Sequence, residues 1–223
     1  MSSGLRPGLL PRASLAALIA QGAIAAGRDI EPSQIQPASL DLRLGKEAFR
    51  LRASFLPGRG ATLRERLESL PYERVSLEGE GAVLEKGIVY IAPLAERLAL
   101  PQNLAGAANP KSSTGRLDIF VRLIVDRGAA FDAAPAGYEG PLWVEISPRS
   151  FSVRVREGTR LNQLRLRECG ARGGMSDEDL RARHAAAPLV DGALELRDGL
   201  VVHVGLEGRE GEIVGFRAVK NGG

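Results

Sequence analysis

Residues 12–21, RASLAALIAQ, repeat Leu and Ile at the spacing of a short amphipathic helix, with Ser14 placed to cap its first turn. From Ile35 the period changes. The stretch IQPASLDLRLGKEAFRL alternates apolar and polar positions, so successive side chains fall on opposite faces of a strand. Residues 61–70, ATLRERLESL, return to helical spacing and predict a surface helix or an extended insertion. The stretch from about 75 to 167 is the most strand-rich: the segments VSLEG, AVLEKGIVYIAP, LAGAANPKSS, IFVRLIV, PLWVEIS, FSVRVREG and TRLNQLRLREC are separated by Gly, Pro, Asn or Asp, the residues that turns require.

Short strands at this spacing, with no regular alternation of strand and long helix, argue against a parallel α/β fold. They predict a mainly β domain: a distorted antiparallel barrel, sandwich or jelly-roll with short peripheral helices. Residues 170–187 read as a connector followed by a helix capped by Ser176, with Asp177 and Glu178 in the first turn where acidic side chains are favoured. After Pro188 the pattern is again strand-like. The expected organisation is therefore a domain over 1–169, a connector and helix over 170–187, and a strand-rich segment over 188–223.

The chain has 223 residues, 44% hydrophobic and 26% charged, the balance of an ordinary globular protein. Aromatic residues make up only 4%, so the core is expected to be Leu, Val, Ile and Ala. The net charge of +3 is not gathered into a long basic run, so it suits a phosphate-bearing small molecule at least as well as a polynucleotide. The single cysteine, Cys169, cannot form an intrachain disulfide, which points to a cytoplasmic protein. Pro7, Pro11, Arg12 and Gln21 interrupt the apolar N-terminal stretch, leaving neither a signal peptide nor the ~20 apolar residues of a membrane span.

Chemistry-bearing residues gather in QPASLDLRLG, NPKSSTGRLDIF, FDAAPAGYEGPLWVEISPRS and GTRLNQLRL. Lys111, Ser112, Ser113, Thr114 and Arg116 set two cations and three hydroxyls in one turn-rich segment. Such a group can donate to phosphate oxygens, or it can be a solvated basic turn. In PLWVEIS, Trp143 and Glu145 share one face and Leu142, Val144 and Ile146 the other. A carboxylate held beside a bulky ring and away from water becomes a candidate general base; the alternative is an exposed strand carboxylate paired with a neighbouring Arg. Asp132 is a second candidate, as base or as acceptor for a sugar hydroxyl. Asp41 reads as a structural carboxylate capping amides or anchoring Arg43, and Asp126 is a polar position without an assigned partner.

The order and wording of these clusters, with PASLDLRLG, PKSSTGRL, GYEGPLWVEISPRSFSV and GTRLNQLRL the clearest, resemble the dCTP deaminases over residues 9–167. These enzymes share a superfamily with trimeric dUTPases, and the resemblance is strongest to the longer alphaproteobacterial-type form. It implies a dUTPase-like (β-clip) fold and hydrolytic deamination of dCTP to dUTP and ammonia, supplying the thymidylate pathway. Carried over residue by residue, it makes Glu145 the catalytic carboxylate, Ser112 the residue positioning the attacking water and Arg116 a support of the same network. Lys111 and Ser113 become phosphate contacts, Asp132 reads the 3′-hydroxyl, and Tyr138 and Gln163 contact the nucleotide.

No organic cofactor is implied, and magnesium is expected to travel with the triphosphate. A zinc deaminase needs a His/Cys/Cys or Cys₃ ligand set, which Cys169, His184 and His203 cannot supply. Relatives assemble as trimers with active sites between subunits or equivalent repeats, so a homo-oligomer binding dCTP or dUTP, with no nucleic-acid or membrane partner, is expected. The alternatives are a dUTP pyrophosphatase or bifunctional deaminase–diphosphatase, with Asp132 serving the phosphate step, and a non-catalytic nucleotide-binding module. Three departures from the family pattern stand out: Lys111 replaces Arg, FDAAPAGYEG is longer than the compact IDPG form, and GARGGMSDEDL does not resemble the phosphate-covering tail of short relatives. The long form contains two related halves, and the second is expected to be barely begun here, at LVVHVGLEGREGEIVGFRAV.

Overall fold

The computed structural model describes residues 8–169, 175–205, 207–208 and 211–216. They divide into two units, one of them Leu9–Cys169. In that unit helix α1 (Arg12–Ala20) is followed by β1 (Ile24–Ala26), a 3-10 turn (Pro32–Gln34), β2 (Leu40–Arg43) and β3 (Glu47–Leu51). Helix α2 (Leu63–Glu68), β4 (Glu73–Ser76), β5 (Ala82–Leu84), β6 (Val89–Ala99), β7 (Leu104–Pro110) and helix α3 (Ser112–Arg116) come next. The unit ends with β8 (Ile119–Val125), β9 (Ala133–Ala134), β10 (Glu139–Pro148), β11 (Val153–Val155) and β12 (Arg160–Glu168).

All strand pairs are antiparallel and fall into three sheets. The largest runs β4-β3-β6-β10-β8, with β1 also on β6; a second runs β2-β12-β7-β9; β11 and β5 form a separate pair. The mainly β expectation with short peripheral helices holds. No sheet among the described residues closes on itself, so barrel closure does not describe these strands.

Leu40 and Leu42 of β2, Leu164 and Leu166 of β12, and Leu142, Val144 and Ile146 of β10 share one buried cluster, so the two larger sheets contribute to a common core. A smaller cluster lies on the other face of β10: Phe49, Leu51, Ile91, Ile124 and Trp143, covered by Leu63 and Leu67 of α2 and flanked by Phe55 and Leu56. The segment after β3 thus packs as a lid over the sheet. Its helix is started by a capping box in which Thr62 Oγ1 accepts from the Glu65 N–H and the Glu65 carboxylate accepts from the Thr62 N–H. Asp126 Oδ1 accepts the Leu63 N–H at 2.8 Å, giving that acid a structural role at the start of α2.

Two local expectations are corrected. Helix α1 starts after Pro11, whose fixed φ suits a helix entry, so Ser14 lies inside the helix and caps nothing. Arg43 is anchored by Glu96, not by Asp41. Glu96, 1% exposed, accepts from Arg43 Nε at 2.8 Å, from the Arg43 N–H at 2.9 Å and from Gln34 Nε2 at 2.9 Å.

In the other unit, helix α4 (Asp177–Ala186) begins at Ser176, whose hydroxyl accepts from the Asp179 N–H, as the capping signature predicts. Beyond it the strand-like pattern yields no ladder among the described residues, only the bridge Leu196–Leu200. Val202, Val204, Ile213 and Phe216 are exposed. Alternation alone does not make a strand where no neighbouring backbone supplies the hydrogen bonds. Residues 170–174 of the expected connector and 217–223 of the expected strand segment lie outside the described residues. No described helix is long and apolar enough to cross a membrane.

Candidate active site

Strand β10 is buried on both faces, and Glu145 is the acid it carries inward. The register sets Glu145 opposite Ile91 on β6 and Arg122 on β8, while Ile91 faces Phe49 on β3. Directly opposed residues share a face, so the carboxylate stands in a row with two apolar side chains on one side and a guanidinium on the other. Glu145 is 1% exposed. Its Oε1 accepts from Arg122 Nη2 at 2.7 Å and from Nε at 3.1 Å. Its Oε2 is equally buried and has no protein partner. Trp143 Nε1 and Ser147 Oγ, two residues to either side on the same face, are also buried without one. Three successive polar atoms left open along one strand face are unusual in a folded interior and mark a polar surface able to take water or ligand.

Arg122 was not among the residues the sequence singled out, although the reading of Glu145 as an acid paired with a neighbouring Arg anticipated its type. Its guanidinium stacks 3.5 Å from the Phe131 ring centroid and 4.9 Å from that of Phe120, and donates to Ser54 Oγ at 2.9 Å. Glu145 is paired with an arginine but buried, so it is not the exposed carboxylate of the alternative reading.

Asp132 follows Phe131 and has φ 60°, a left-handed conformation that Asp tolerates better than most residues. Its backbone pairs with Leu123 and Ala108, and its Oδ1 accepts the Leu123 N–H at 2.8 Å. Burial pushes its carboxyl above the ordinary value; the Leu123 N–H and the Arg122 charge oppose the rise, and the charge of Glu145 adds to it. Asp132, Arg122 and Glu145 therefore form one electrostatic group.

The KSSTGR segment stands apart within the chain. Lys111 sits at the N-cap position of α3 without a side-chain capping bond, and Thr114, buried, ties that helix to β12 by donating to the Leu161 carbonyl at 2.8 Å. Ser112, Ser113 and Arg116 are exposed and make no side-chain hydrogen bond or ion pair among the described residues. Lys111 is not free: its ammonium pairs with Asp41, a buried carboxylate whose Oδ1 has no protein partner. Gln163 lies opposite Asp41 on β2 and Asn109 on β7, and its Oε1 accepts from Ser39 at 3.0 Å. The structure thus brings Lys111, Asp41 and Gln163 together at the β2-β12-β7 sheet and pairs Glu145 with Arg122 on the other, with Asp132, just before β9, bonded by its backbone to Ala108 of the first sheet and Leu123 of the second. Asn162, overlooked in the sequence, is 1% exposed with both amide atoms unpaired.

Tyr138 is the predicted contact that the fold itself uses. It is 7% exposed, donates to the Pro141 carbonyl at 2.6 Å and accepts from the Asp126 N–H at 3.1 Å. Burial pushes its phenol up to about 12. Gly140 gives it room, since a Cβ there would lie 2.6 Å from the Tyr138 hydroxyl.

No group of three or more His, Cys, Asp and Glu positioned to hold a metal occurs among the described residues. A cavity of about 530 Å³ lies by β3 and β4 and is lined by residues including Arg50, Arg52, Tyr72 and Glu73. It shares no residue with the Glu145 group, and its Arg50 is already paired with Glu73 and Glu85.

Residues 6–170 match the family model for the 2′-deoxycytidine 5′-triphosphate deaminase N-terminal domain. Among solved structures, a 2′-deoxycytidine 5′-triphosphate deaminase from Agrobacterium tumefaciens is 45% identical with a TM-score of 0.77; the match covers 86% of this chain and 56% of that one. The chain therefore spans little more than half the length of that relative. The dCTP deaminase of Haloarcula marismortui is 32% identical over 136 residues, covering 60% of this chain and 67% of the relative. A "dCTP deaminase, dUMP-forming" from Coprothermobacter proteolyticus is 29% identical over 140 residues, covering 60% and 70%.

Proposed function

The chain belongs to the family of the dCTP deaminase N-terminal domain, and from that premise we propose that it hydrolyses the exocyclic C–N bond of dCTP, giving dUTP and ammonia, with Glu145 as the proton carrier. The observation that carries this reading is the state of Glu145: buried, with Oε1 held by Arg122 and Oε2 without a protein partner.

A water molecule attacks C4 of the cytosine. Oε2 takes its proton as the new C–O bond forms, the ring nitrogen N3 is protonated, and the departing amino group receives a proton as the C4–N bond breaks. One water is consumed and one ammonia released. A carboxylate withdrawn from bulk water and held in place needs little rearrangement to carry protons between these atoms. Ser112 orients the water, and Arg116 supports the developing charge at the reacting centre.

Lys111 and Ser113 bind the triphosphate, Asp132 accepts from the 3′-hydroxyl, and Gln163 contacts the nucleotide. Tyr138 shapes the turn beneath the site and does not itself donate to substrate, because its hydroxyl is already engaged. Among the described residues Glu145 makes no hydrogen bond or ion pair with Ser112 or Arg116, and its paired cation is Arg122. A site composed of α3 from one copy or repeat and β10 from another accommodates this, as does the trimer expected of the family. Magnesium is held mainly by triphosphate oxygens, and a dUTPase-like arrangement in the cytoplasm is the setting in which we place the reaction.

Asp132 favours a second reading. Its carboxyl is raised by burial and lies in the same electrostatic group, so a phosphate-hydrolysing step giving dUMP can share the site. Chromatography of the purified chain with dCTP, dUTP and magnesium separates these outcomes. Accumulation of dUTP supports the deaminase, and dUMP adds the second activity. Tight dCTP binding without turnover supports the non-catalytic module. Glu145→Gln is expected to bind dCTP and to lose turnover; turnover near that of the unaltered chain would exclude Glu145 as the proton carrier.

A further inference from the structure

The structure assigns Arg122 a role that deepens the proposed reaction and rests on it: Arg122 is a positioning residue that selects which oxygen of Glu145 carries the proton. The chain contains an internal comparison. Glu96 and Glu145 are both 1% exposed and both face an arginine. Glu96 is saturated: Oε1 takes Gln34 and the Arg43 Nε–H, and Oε2 takes the Arg43 N–H. An acid whose task is only to hold the fold together is expected to be satisfied in this way.

Glu145 is held asymmetrically. Arg122 directs both Nε and Nη2 to Oε1 instead of straddling the carboxylate, the two-oxygen fork that arginine ordinarily forms. The guanidinium is itself fixed by the Phe131 ring at 3.5 Å, the Phe120 ring and the Ser54 hydroxyl. One oxygen is therefore occupied and the other left open, beside the open Nε1 of Trp143 and Oγ of Ser147. The same guanidinium lies within electrostatic range of Asp132, so one stacked cation orders both acids. Lysine cannot reproduce this arrangement, because a point charge has neither the planar fork nor the ring-stacking face.

The test measures Arg122→Lys, Arg122→Ala and Glu145→Gln against the unaltered chain, each checked by circular dichroism for native folding. Arg122→Ala is expected to lower kcat about 100-fold with KM for dCTP within about 3-fold, the pattern of lost transition-state positioning. Added guanidinium ion at non-denaturing concentration is expected to restore part of that loss, and equal ionic strength of sodium chloride none. Arg122→Lys, which keeps the charge, is expected to be impaired at least about 10-fold.

If Glu145→Gln is inactive while both Arg122 variants keep the unaltered kcat, or lose only affinity, the positioning role is overturned and the reading of Glu145 stands. If Glu145→Gln turns over normally, the reading itself fails. Should Arg122→Ala not fold, Arg122→Lys decides: full kcat in that variant overturns the role, and a kcat loss at unchanged KM supports it.

Discussion

Lys111 and Asp41 are joined by a salt bridge that ties the start of α3 to strand β2 across 70 positions of sequence. Asp41 lies almost wholly inside, its side chain 2% exposed, whereas Lys111 is 27% exposed. Lys111 thus has two tasks, neutralising a buried acid and, in the proposed reaction, meeting phosphate. Lys111→Met is expected to destabilise the chain by about 2 kcal/mol, below the ~3–5 of a fully buried pair because the lysine is partly solvated. It should also raise KM for dCTP. The double variant Lys111→Met/Asp41→Asn is expected to recover most of the stability but not the KM. Urea unfolding of the set checks the first expectation and steady-state kinetics the second.

Ser112 makes the opposite case. It is exposed and has no side-chain partner among the described residues, so Ser112→Ala should leave stability within about 0.5 kcal/mol of the unaltered chain. Turnover of dCTP is expected to fall about 10–100-fold. Thermal unfolding and the chromatographic assay read the two quantities independently, and unchanged turnover would remove Ser112 from the reaction.

Tyr138→Phe removes both bonds of a buried hydroxyl, leaving the Pro141 carbonyl and the Asp126 N–H unpaired. A loss of about 2–3 kcal/mol is expected. The same residue predicts an alkaline transition. Its phenol is raised from 10.0 to about 12, so its contribution to stability is complete below pH 10 and lost as the pH rises through about 12. Urea midpoints measured across that window should fall for the unaltered chain, and the fall should be shallower in Tyr138→Phe.

Glu96→Ala leaves the Arg43 guanidinium, 4% exposed, without its carboxylate and frees Gln34 as well. A loss of about 3–5 kcal/mol is expected, a large fraction of the ~5–15 kcal/mol that holds an ordinary domain folded. Glu96→Gln, which keeps the acceptor oxygen for Arg43 or Gln34 but not the charge, should fall between the two. Denaturant unfolding that shows Glu96→Ala within about 1 kcal/mol of the unaltered chain would remove the PASLDLRLG motif from the list of structural anchors.

Much of the strand order was legible because it is written in short-range periodicity. The segments IFVRLIV, PLWVEIS and TRLNQLRLREC became β8, β10 and β12, each bounded by the turn residues that delimit it. The capping box of Ser176 and the segregation of Trp143 and Glu145 from Leu142, Val144 and Ile146 were readable for the same reason. Ser14 misled because Pro11 offers an earlier helix entry, and the strand-like run after Pro188 misled because alternation says nothing about whether a neighbouring strand exists.

The sequence by itself determined which residues could do chemistry and which face of its strand each would occupy, since a period of two is a property of a single segment. Only the tertiary structure decided their partners. Arg122 reaches Glu145 because β8 and β10 pair in one register, and a slip by one residue would send it to the other face. Lys111 meets Asp41 because β12 brings β2 and β7 into one sheet. Trp143, on the face it shares with Glu145, is buried because Leu63 and Leu67 of α2 and the segment before it pack on that side of β10. Ion pairing and desolvation depend on distances between segments far apart in the chain, and those distances exist only once the sheets have assembled.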